Sequence, residues 1–156
     1  MTTSQQAPST LTSWPVEFLF SVTATLTPPQ GGLIPAGPQG TRAIIGVTGG
    51  TFEGPRLRGT VVPPGGEWAT VRPDGAVKAD VRLTLQTDDG ALILMSYSGI
   101  GVPGADGNPD IRTAPLFETG DPRYAWLNNI QAIGSGTTSG GAAGFTSVSY
   151  NIYALK

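Results

Sequence analysis

Residues 77–97, VKADVRLTLQTDDGALILMSY, carry the clearest fold signal in the chain. Apolar and polar side chains alternate over residues 77–86, which is the period of a β-strand with one buried face. A second extended run, residues 91–97, follows the turn sequence Thr87-Asp88-Asp89-Gly90. Asp-Gly is preferred in tight hairpin turns because glycine accepts a positive φ. The stretch therefore predicts two antiparallel strands joined by a short turn.

Strands of the same kind are predicted along most of the chain, between segments rich in Gly, Pro and Ser. We expect strands at residues 16–26, 42–47, 56–62, 67–71, 111–118 and 145–155. Residues 124–133 are compatible with one helical turn followed by a strand, and we favour a strand that starts near Trp126. Residues 28–40, 98–110 and 134–144 are predicted to be long loops. With 23 Gly and 14 Pro in 156 residues, this pattern predicts an all-β fold, a single antiparallel β-barrel or strongly curled sheet. The domain would span residues 16–156, after a flexible N-terminal arm of residues 1–15.

The charge of the chain argues against two classes of partner. The formal net charge is -2 and the nine basic residues are scattered, so no basic patch is available for nucleic acid or an anionic membrane surface. No apolar run approaches the length of a membrane span. Residues 1–13 lack the basic start and apolar stretch of a signal peptide, so we expect a cytoplasmic protein.

Cysteine and histidine are both absent from the sequence. Their absence excludes disulfides, thiolate nucleophiles, metal sites built from thiolate or imidazole, and any Ser-His-Asp triad. We therefore expect neither a bound metal nor a cofactor. Acid-base chemistry would fall to Asp, Glu, Tyr, Lys or groups assisted by Arg.

The hairpin supplies the candidate catalytic residues. Asp80 and Arg82 share one strand face, and a turn of two residues would place Tyr97 opposite Arg82, whereas a turn of four would place it opposite Asp80. If that face lines a barrel interior, Asp80 is a general acid or base, Arg82 stabilises an anionic intermediate and Tyr97 donates a proton. If it faces water, Asp80 and Arg82 form a surface pair worth under about 1 kcal/mol.

A series of short motifs runs in order through the chain. They are Gly40-Thr41-Arg42, Gly49-Gly50-Thr51-Phe52-Glu53-Gly54-Pro55, Leu57-Arg58-Gly59, Pro64-Gly65-Gly66-Glu67-Trp68, Arg72-Pro73-Asp74-Gly75, Asp80-Val81-Arg82, Thr87-Asp88-Asp89-Gly90, Arg112-Thr113-Ala114-Pro115-Leu116-Phe117-Glu118-Thr119 and Tyr124-Ala125-Trp126-Leu127-Asn128. From Val16 onwards the chain thus resembles the DUF3237 (UPF0311) family.

The resemblance implies a small, lipocalin-like β-barrel and brings no established catalytic set. The polar and aromatic residues at motif positions favour a lined cavity. Besides Asp80, Arg82 and Tyr97, this suggests a set of substrate-binding residues: Arg42, Trp68, Asp88, Glu118, Trp126 and Asn128.

Three functional hypotheses follow from these residues. The first is a cofactor-independent enzyme that acts on a small, largely apolar organic molecule by proton transfer, as a lyase, isomerase or cyclase. The second is a non-catalytic carrier with the same cavity. The third is a structural or subunit-interface protein, which predicts a barrel filled by side chains. Each is compatible with homo-oligomerisation.

Overall fold

A computed structural model describes residues 13–28, 33–140 and 145–156. The strands are β1 (Val16–Leu26), β2 (Leu33–Gly37), β3 (Gly40–Glu53), β4 (Arg58–Val71), β5 (Val77–Thr87), β6 (Leu92–Pro103), β7 (Pro109–Thr113), β8 (Leu116–Glu118), β9 (Ala132–Ser139) and β10 (Ser147–Leu155). A 3₁₀ helix spans Ala125–Asn129. No helix within the described ranges is long and apolar enough to cross a membrane.

The strands close into an antiparallel β-barrel, as predicted. Around the ring the order is β1-β10-β9-β7-β6-β5-β4-β3, and β3 pairs back to β1, which makes eight strands. The short strand β2 pairs with the N-terminal part of β3, and the short strand β8 pairs with the N-terminal part of β6. Because β1 pairs on both sides, the sheet has no long free edge at the point of closure.

The N-terminal arm is predicted over residues 1–15, and residues 1–12 of it lie outside the described ranges. Trp14 contacts the other end of the chain, since its Nε1 donates to the carbonyl oxygen of Lys156 at 3.0 Å. The backbone N–H of Lys156 in turn donates to the carbonyl oxygen of Pro15 at 3.0 Å. Trp14 and Pro15 therefore pack beside the C-terminal residue Lys156.

Several segments predicted to be loops are strands. β2 forms within residues 28–40, β6 continues to Pro103, and β9 occupies Ala132–Ser139. β9 contains glycine where the neighbouring strand leaves no room for a side chain. A Cβ on Gly136 would lie only 2.3 Å from the ring of Tyr150 on β10. The strand predicted from Trp126 is instead the 3₁₀ helix, and β9 starts only at Ala132.

The hairpin between β5 and β6 has a three-residue loop, which the prediction of two or four residues missed. Thr87 and Ala91 flank the loop, and the N–H of Thr87 donates to the carbonyl oxygen of Ala91 at 2.9 Å. Gly90 takes φ 91°, as the last residue of a three-residue hairpin loop commonly does. An odd loop length reverses side-chain parity, so Tyr97 pairs with Val81 and not with Asp80 or Arg82.

One half of the barrel interior, which we call the filled half, is packed with large apolar side chains. Phe20 meets Phe52 and Phe117 edge to face, at ring-centroid distances of 5.5 and 5.9 Å. Leu127 of the 3₁₀ helix is fully buried. The other members of this half are Leu19, Leu57, Val61, Leu83, Leu85, Ile93, Met95, Ala132 and Ile152. Large side chains and the helix together close this end.

The other half, which we call the open half, is lined mainly by small side chains. Ala43 pairs with Ala69 across β3 and β4, and Val77 pairs with Gly101 across β5 and β6. Ala79 faces inward on the same side of β5 as Val77. Small side chains cannot fill a barrel of this width, so a cavity remains.

Candidate active site

The cavity in the open half has a volume of about 250 Å³ and a mostly apolar wall. Its lining comprises Leu26, Thr27, Leu33, Ala43, Ile45, Glu67, Ala69, Val71, Val77, Ala79, Gly101, Pro109, Ile111, Thr138, Phe145, Val148 and Tyr150. A concave apolar pocket with a few polar groups is the usual form of a small-molecule site. The carboxyl of Glu67, the phenol of Tyr150 and two threonine hydroxyls are the side-chain polar groups of this lining.

Glu67 is held at the inner end of the cavity by β4. It pairs with Ile45 of β3 on one side and with Val81 of β5 on the other, so both neighbours are apolar. The side chain is partly buried, and burial raises the pKa of its carboxyl from 4.5 to about 7. Removal from water disfavours the charged form, so both forms of this carboxyl are populated near neutral pH.

Two tyrosines lie next to Glu67 and separate the two halves of the barrel. Tyr97 is on β6, beside Val81, and its ring meets that of Tyr150 on β10 at 5.4 Å and 73°. Burial raises the pKa of each phenol above its ordinary value, and the nearby charge of Glu67 raises both further. Both therefore stay neutral and keep a proton to donate in a hydrogen bond.

Tyr150 can lie flat against β9 because its partner there is Gly136. A Cβ at Gly136 would come within 2.3 Å of Cδ1 of Tyr150 and 2.1 Å of the carbonyl oxygen of Ser149. Any larger residue would push the ring out of its place. The glycine in β9 thus positions one of the two phenols.

The cavity combines a carboxyl that can take or give a proton near neutral pH with hydrogen-bond donors in apolar surroundings. A catalytic acid or base works best when its pKa lies near the working pH. Within the described part of the chain, no Lys or Arg side chain lines this cavity. The site suits proton transfer on an uncharged molecule.

The predicted grouping of Asp80, Arg82 and Tyr97 is wrong, because the hairpin parity separates them. Tyr97 is inside the barrel with 6% of its surface exposed. Asp80 and Arg82 point outward, where they form a surface ion pair at 3.5 Å with side chains 51% and 60% exposed. The surface interpretation of that face is the correct one.

The predicted substrate-binding residues also lie outside the cavity. Arg42 and Trp68 line a groove of about 360 Å³ on the outer surface, next to Asp80. Successive side chains of a strand point to opposite faces of the sheet. Because Ala43, Glu67 and Ala69 point into the barrel, their neighbours Arg42 and Trp68 point outward.

The remaining four predicted residues surround the filled half. Asp88 pairs with Arg58 at 3.2 Å, and the ring of Trp126 packs under the guanidinium of Arg56 at 3.6 Å. Asn128 accepts a hydrogen bond from the N–H of Thr119 and donates one to its carbonyl oxygen, at 2.8 and 2.9 Å. Glu118 is exposed on β8. These residues stabilise the closed end of the barrel, far from the cavity lining.

Glu67 and Tyr150 were missed as site residues. The available signal was the alternation of residues 67–71, in which a carboxylate shares a strand face with Ala69 and Val71. A charged residue on an otherwise apolar face marks a candidate site. Tyr150 stands in the alternating apolar run of the last strand, where nothing in the sequence distinguishes it from a core residue.

Known proteins resemble this chain over most of its length. The family described as "Protein of unknown function (DUF3237)" matches residues 15–155. A UPF0311 protein of Rhodopseudomonas palustris (strain TIE-1) is 32% identical over 134 residues, covering 76% of this chain and 85% of that protein. A protein of Penicillium herquei named hydroalkoxylation enzyme phnH is 36% identical over 121 residues, covering 77% of this chain and 72% of that protein.

Solved structures share the barrel. A β-barrel-like protein of Acinetobacter baumannii AYE superposes with a TM-score of 0.78 at 29% identity, over 94% of this chain and 100% of that one. An enzyme of Penicillium herquei superposes with a TM-score of 0.71 at 30% identity, over 96% and 100% of the two chains. The sequence match over residues 15–155 and the common barrel establish that this chain belongs to the DUF3237 family.

Proposed function

We propose that this protein is an acid-base enzyme that adds a hydroxyl group across a carbon–carbon double bond of a small, largely apolar molecule, closing a cyclic ether. The observation that supports this most directly is the Glu67 carboxyl at the inner end of the cavity, with its pKa raised to about 7 by burial. Such a carboxyl can remove a proton in one step and return it in the next.

The reaction needs one proton to move and no change of oxidation state overall. Ionised Glu67 takes the proton from the substrate hydroxyl while the oxygen attacks one alkene carbon. The O–H bond breaks, a C–O bond forms, and the π electrons of the double bond move to the second carbon, where a conjugated electron-withdrawing group of the substrate takes up the charge. Neutral Glu67 then returns the proton to that carbon, which completes the C–H bond and restores the carboxylate.

Tyr150 is proposed to bind and orient the reacting hydroxyl beside Glu67, while Tyr97 packs against the Tyr150 ring and holds it in place. Their pKa values lie above the ordinary range, so they act as hydrogen-bond donors and not as bases. Apolar walls exclude water, which holds the substrate in a compact conformation and strengthens these contacts.

The Penicillium herquei relative named hydroalkoxylation enzyme supports this reaction class, at 36% identity. Addition of an alcohol across a double bond is a ring closure when both groups belong to one molecule. It lies within the lyase, isomerase and cyclase chemistry expected from the sequence.

The test is conversion of two probes in which the double bond is conjugated to a carbonyl: a chalcone with a hydroxyl ortho to its carbonyl, and the smaller ketone in which a methyl group replaces the β-phenyl ring. Cyclic ether formation is followed by chromatography. Glu67→Gln should lower turnover of a converted probe by about 10²-fold or more, because it removes the acid-base group. Asp80→Asn is the matched control, since it neutralises a carboxylate on the outer face.

The pH profile gives a second readout. Because the ionised carboxylate starts the reaction, kcat/KM should rise with pH and level off above about 7, the pKa of Glu67. Undiminished turnover in Glu67→Gln would overturn the proposed mechanism. Tight binding of both probes without conversion would instead favour the carrier hypothesis, which predicts the same cavity.

A further inference from the structure

Thr138 is a wall residue of the cavity, and its hydroxyl has no hydrogen-bond partner among the residues that the structure describes. Its side chain lines the cavity from β9, next to Val148 of β10, and only 9% of the residue is exposed. The Oγ1 atom is buried and makes no hydrogen bond to residues 13–28, 33–140 or 145–156. A buried unpaired hydroxyl costs free energy, which a ligand that supplies a hydrogen-bond partner would recover.

Thr138 and Glu67 lie on opposite walls of the barrel. Thr138 belongs to β9 and Glu67 to β4, and these strands are separated by four steps in the ring of eight. Thr138 pairs with Val148 of β10, which is nearer the mouth of the cavity than Tyr150 of the same strand. Thr138 is therefore nearer the mouth as well. A molecule in the cavity therefore has a carboxyl on one side and a lone hydroxyl on the other.

Ring closure of a hydroxyaryl enone creates the same arrangement of polar atoms. When the hydroxyl oxygen approaches the β-carbon of the enone, the carbonyl oxygen points to the opposite edge of the forming six-membered ring. The hydroxyl must face a base, and the carbonyl oxygen gains negative charge as the C–O bond forms. A hydrogen-bond donor at that oxygen stabilises the developing charge.

Resting on the proposed function, we propose that the substrate is an uncharged hydroxyaryl enone, with its hydroxyl toward Glu67 and its carbonyl oxygen hydrogen-bonded by the hydroxyl of Thr138. The bond changes balance without a co-reactant. The O–H bond breaks and its proton moves to Glu67, the C–O bond forms at the β-carbon, and the alkene electrons pass into an enolate. Glu67 then protonates the α-carbon, and the carbonyl is regenerated. The absence of cationic side chains from the described cavity wall agrees with a substrate that carries no anionic group.

The test compares the binding of chromanone and chroman, bicyclic molecules with the same ring oxygen that differ at the carbonyl. Dissociation constants are measured by calorimetry for the wild-type protein, Thr138→Val and Thr138→Ser. In Thr138→Val, the ratio of the two constants should shift toward chroman by about 3- to 10-fold, the value of one hydrogen bond. Thr138→Ser keeps the hydroxyl and should restore most of the preference.

Thr113→Val is the matched control. Thr113 also has a buried Oγ1 that lacks a hydrogen-bond partner within the described part of the chain, but Thr113 does not line the cavity. Its substitution should leave the ratio unchanged even if stability changes. An unchanged ratio in Thr138→Val, or no measurable binding of either molecule, would overturn the inference. Failure of the proposed function has a different signature, namely an intact Thr138 effect on binding with no conversion of the hydroxychalcone.

Discussion

The filled and open halves of the barrel are built by the same strands, yet one is a packed core and the other a cavity. On β5 the inward residues are Leu83 and Leu85 in the filled half and Val77 and Ala79 in the open half. On β6, Met95 in the filled half contrasts with Gly101 in the open half. The comparison shows that side-chain size along each strand, and not strand arrangement, decides where a ligand can bind.

The two halves of the barrel also differ in the polar side chains that they contain. The interior of the filled half is mainly apolar and is surrounded by ion pairs at its outer rim, such as Arg123 with Asp89 at 3.2 Å. The boundary of the open half holds Glu67, whose pKa rises because burial removes its carboxyl from water. A partly buried carboxyl reduces stability when it is charged, which is typical of a functional site.

The largest effect should come from truncating the filled half. Phe20→Ala removes a fully buried ring that contacts two other aromatic rings, and should lower the free energy of unfolding by about 3–5 kcal/mol. Urea unfolding followed by circular dichroism measures it. Val148→Ala, which enlarges an existing cavity, should cost less than half as much. Equal losses would contradict the distinction between the halves.

Glu67→Gln should stabilise the protein at alkaline pH. The pKa of Glu67 is raised in the folded state from 4.5 to about 7, so the wild type loses stability as pH rises through that window. The variant carries no such charge and should gain up to roughly 3 kcal/mol over the wild type at about pH 9. At about pH 4 the two should be equally stable. A constant difference between the two pH values would show that the carboxyl is not desolvated.

Enlarging alanine should have opposite consequences in the two halves. Ala132→Leu adds atoms to the packed filled half, where Ala132 is fully buried, and should cost about 1–3 kcal/mol. Ala69→Leu places the same atoms in the cavity, so stability should change by less than about 1 kcal/mol. Chromanone binding should weaken at least about tenfold in Ala69→Leu. Thermal unfolding and calorimetry test the pair, and an equal loss of stability in both would show that the cavity is not open.

The smallest effect concerns the loop that determines which hairpin face points inward. Gly90→Ala places a Cβ at φ 91°, where nothing lies within 4 Å, so its cost is purely conformational. We expect a loss of about 1 kcal/mol, with the barrel and its ligand binding retained. A larger loss together with altered ligand binding would indicate that the hairpin register had shifted.

The fold was largely predictable because alternation is a local property. The first and last strands appear where residues 16–26 and 145–155 predicted them, and their inward residues include Val22, Ala24, Val148 and Ile152. The strands that were missed contain glycine, as in β9. There, pairing on both sides and the neighbouring ring of Tyr150 outweigh the low intrinsic preference of glycine for strands.

The candidate site was predictable only in part. Tyr97 is inside the barrel and packs against the cavity-lining Tyr150, whereas its supposed partners Asp80 and Arg82 are on the outer surface. One extra loop residue reverses every side chain of a strand relative to its neighbour, and Asp-Gly occurs in loops of more than one length. Glu67 was visible as a carboxylate on an apolar strand face, whereas its raised pKa depends on burial by strands distant in sequence.

By itself, the sequence determined an all-β domain, strands at the alternating runs, and chemistry without thiolate or imidazole, because these follow from local periodicity and composition. Tertiary structure alone decided which hairpin face lies inside, where the small residues of β3, β4, β5 and β6 meet to leave a cavity, and that Glu67 lies beside Tyr97 and Tyr150. The physical reason is ring closure: pairing β1 with both β3 and β10 brings distant residues together and removes them from water.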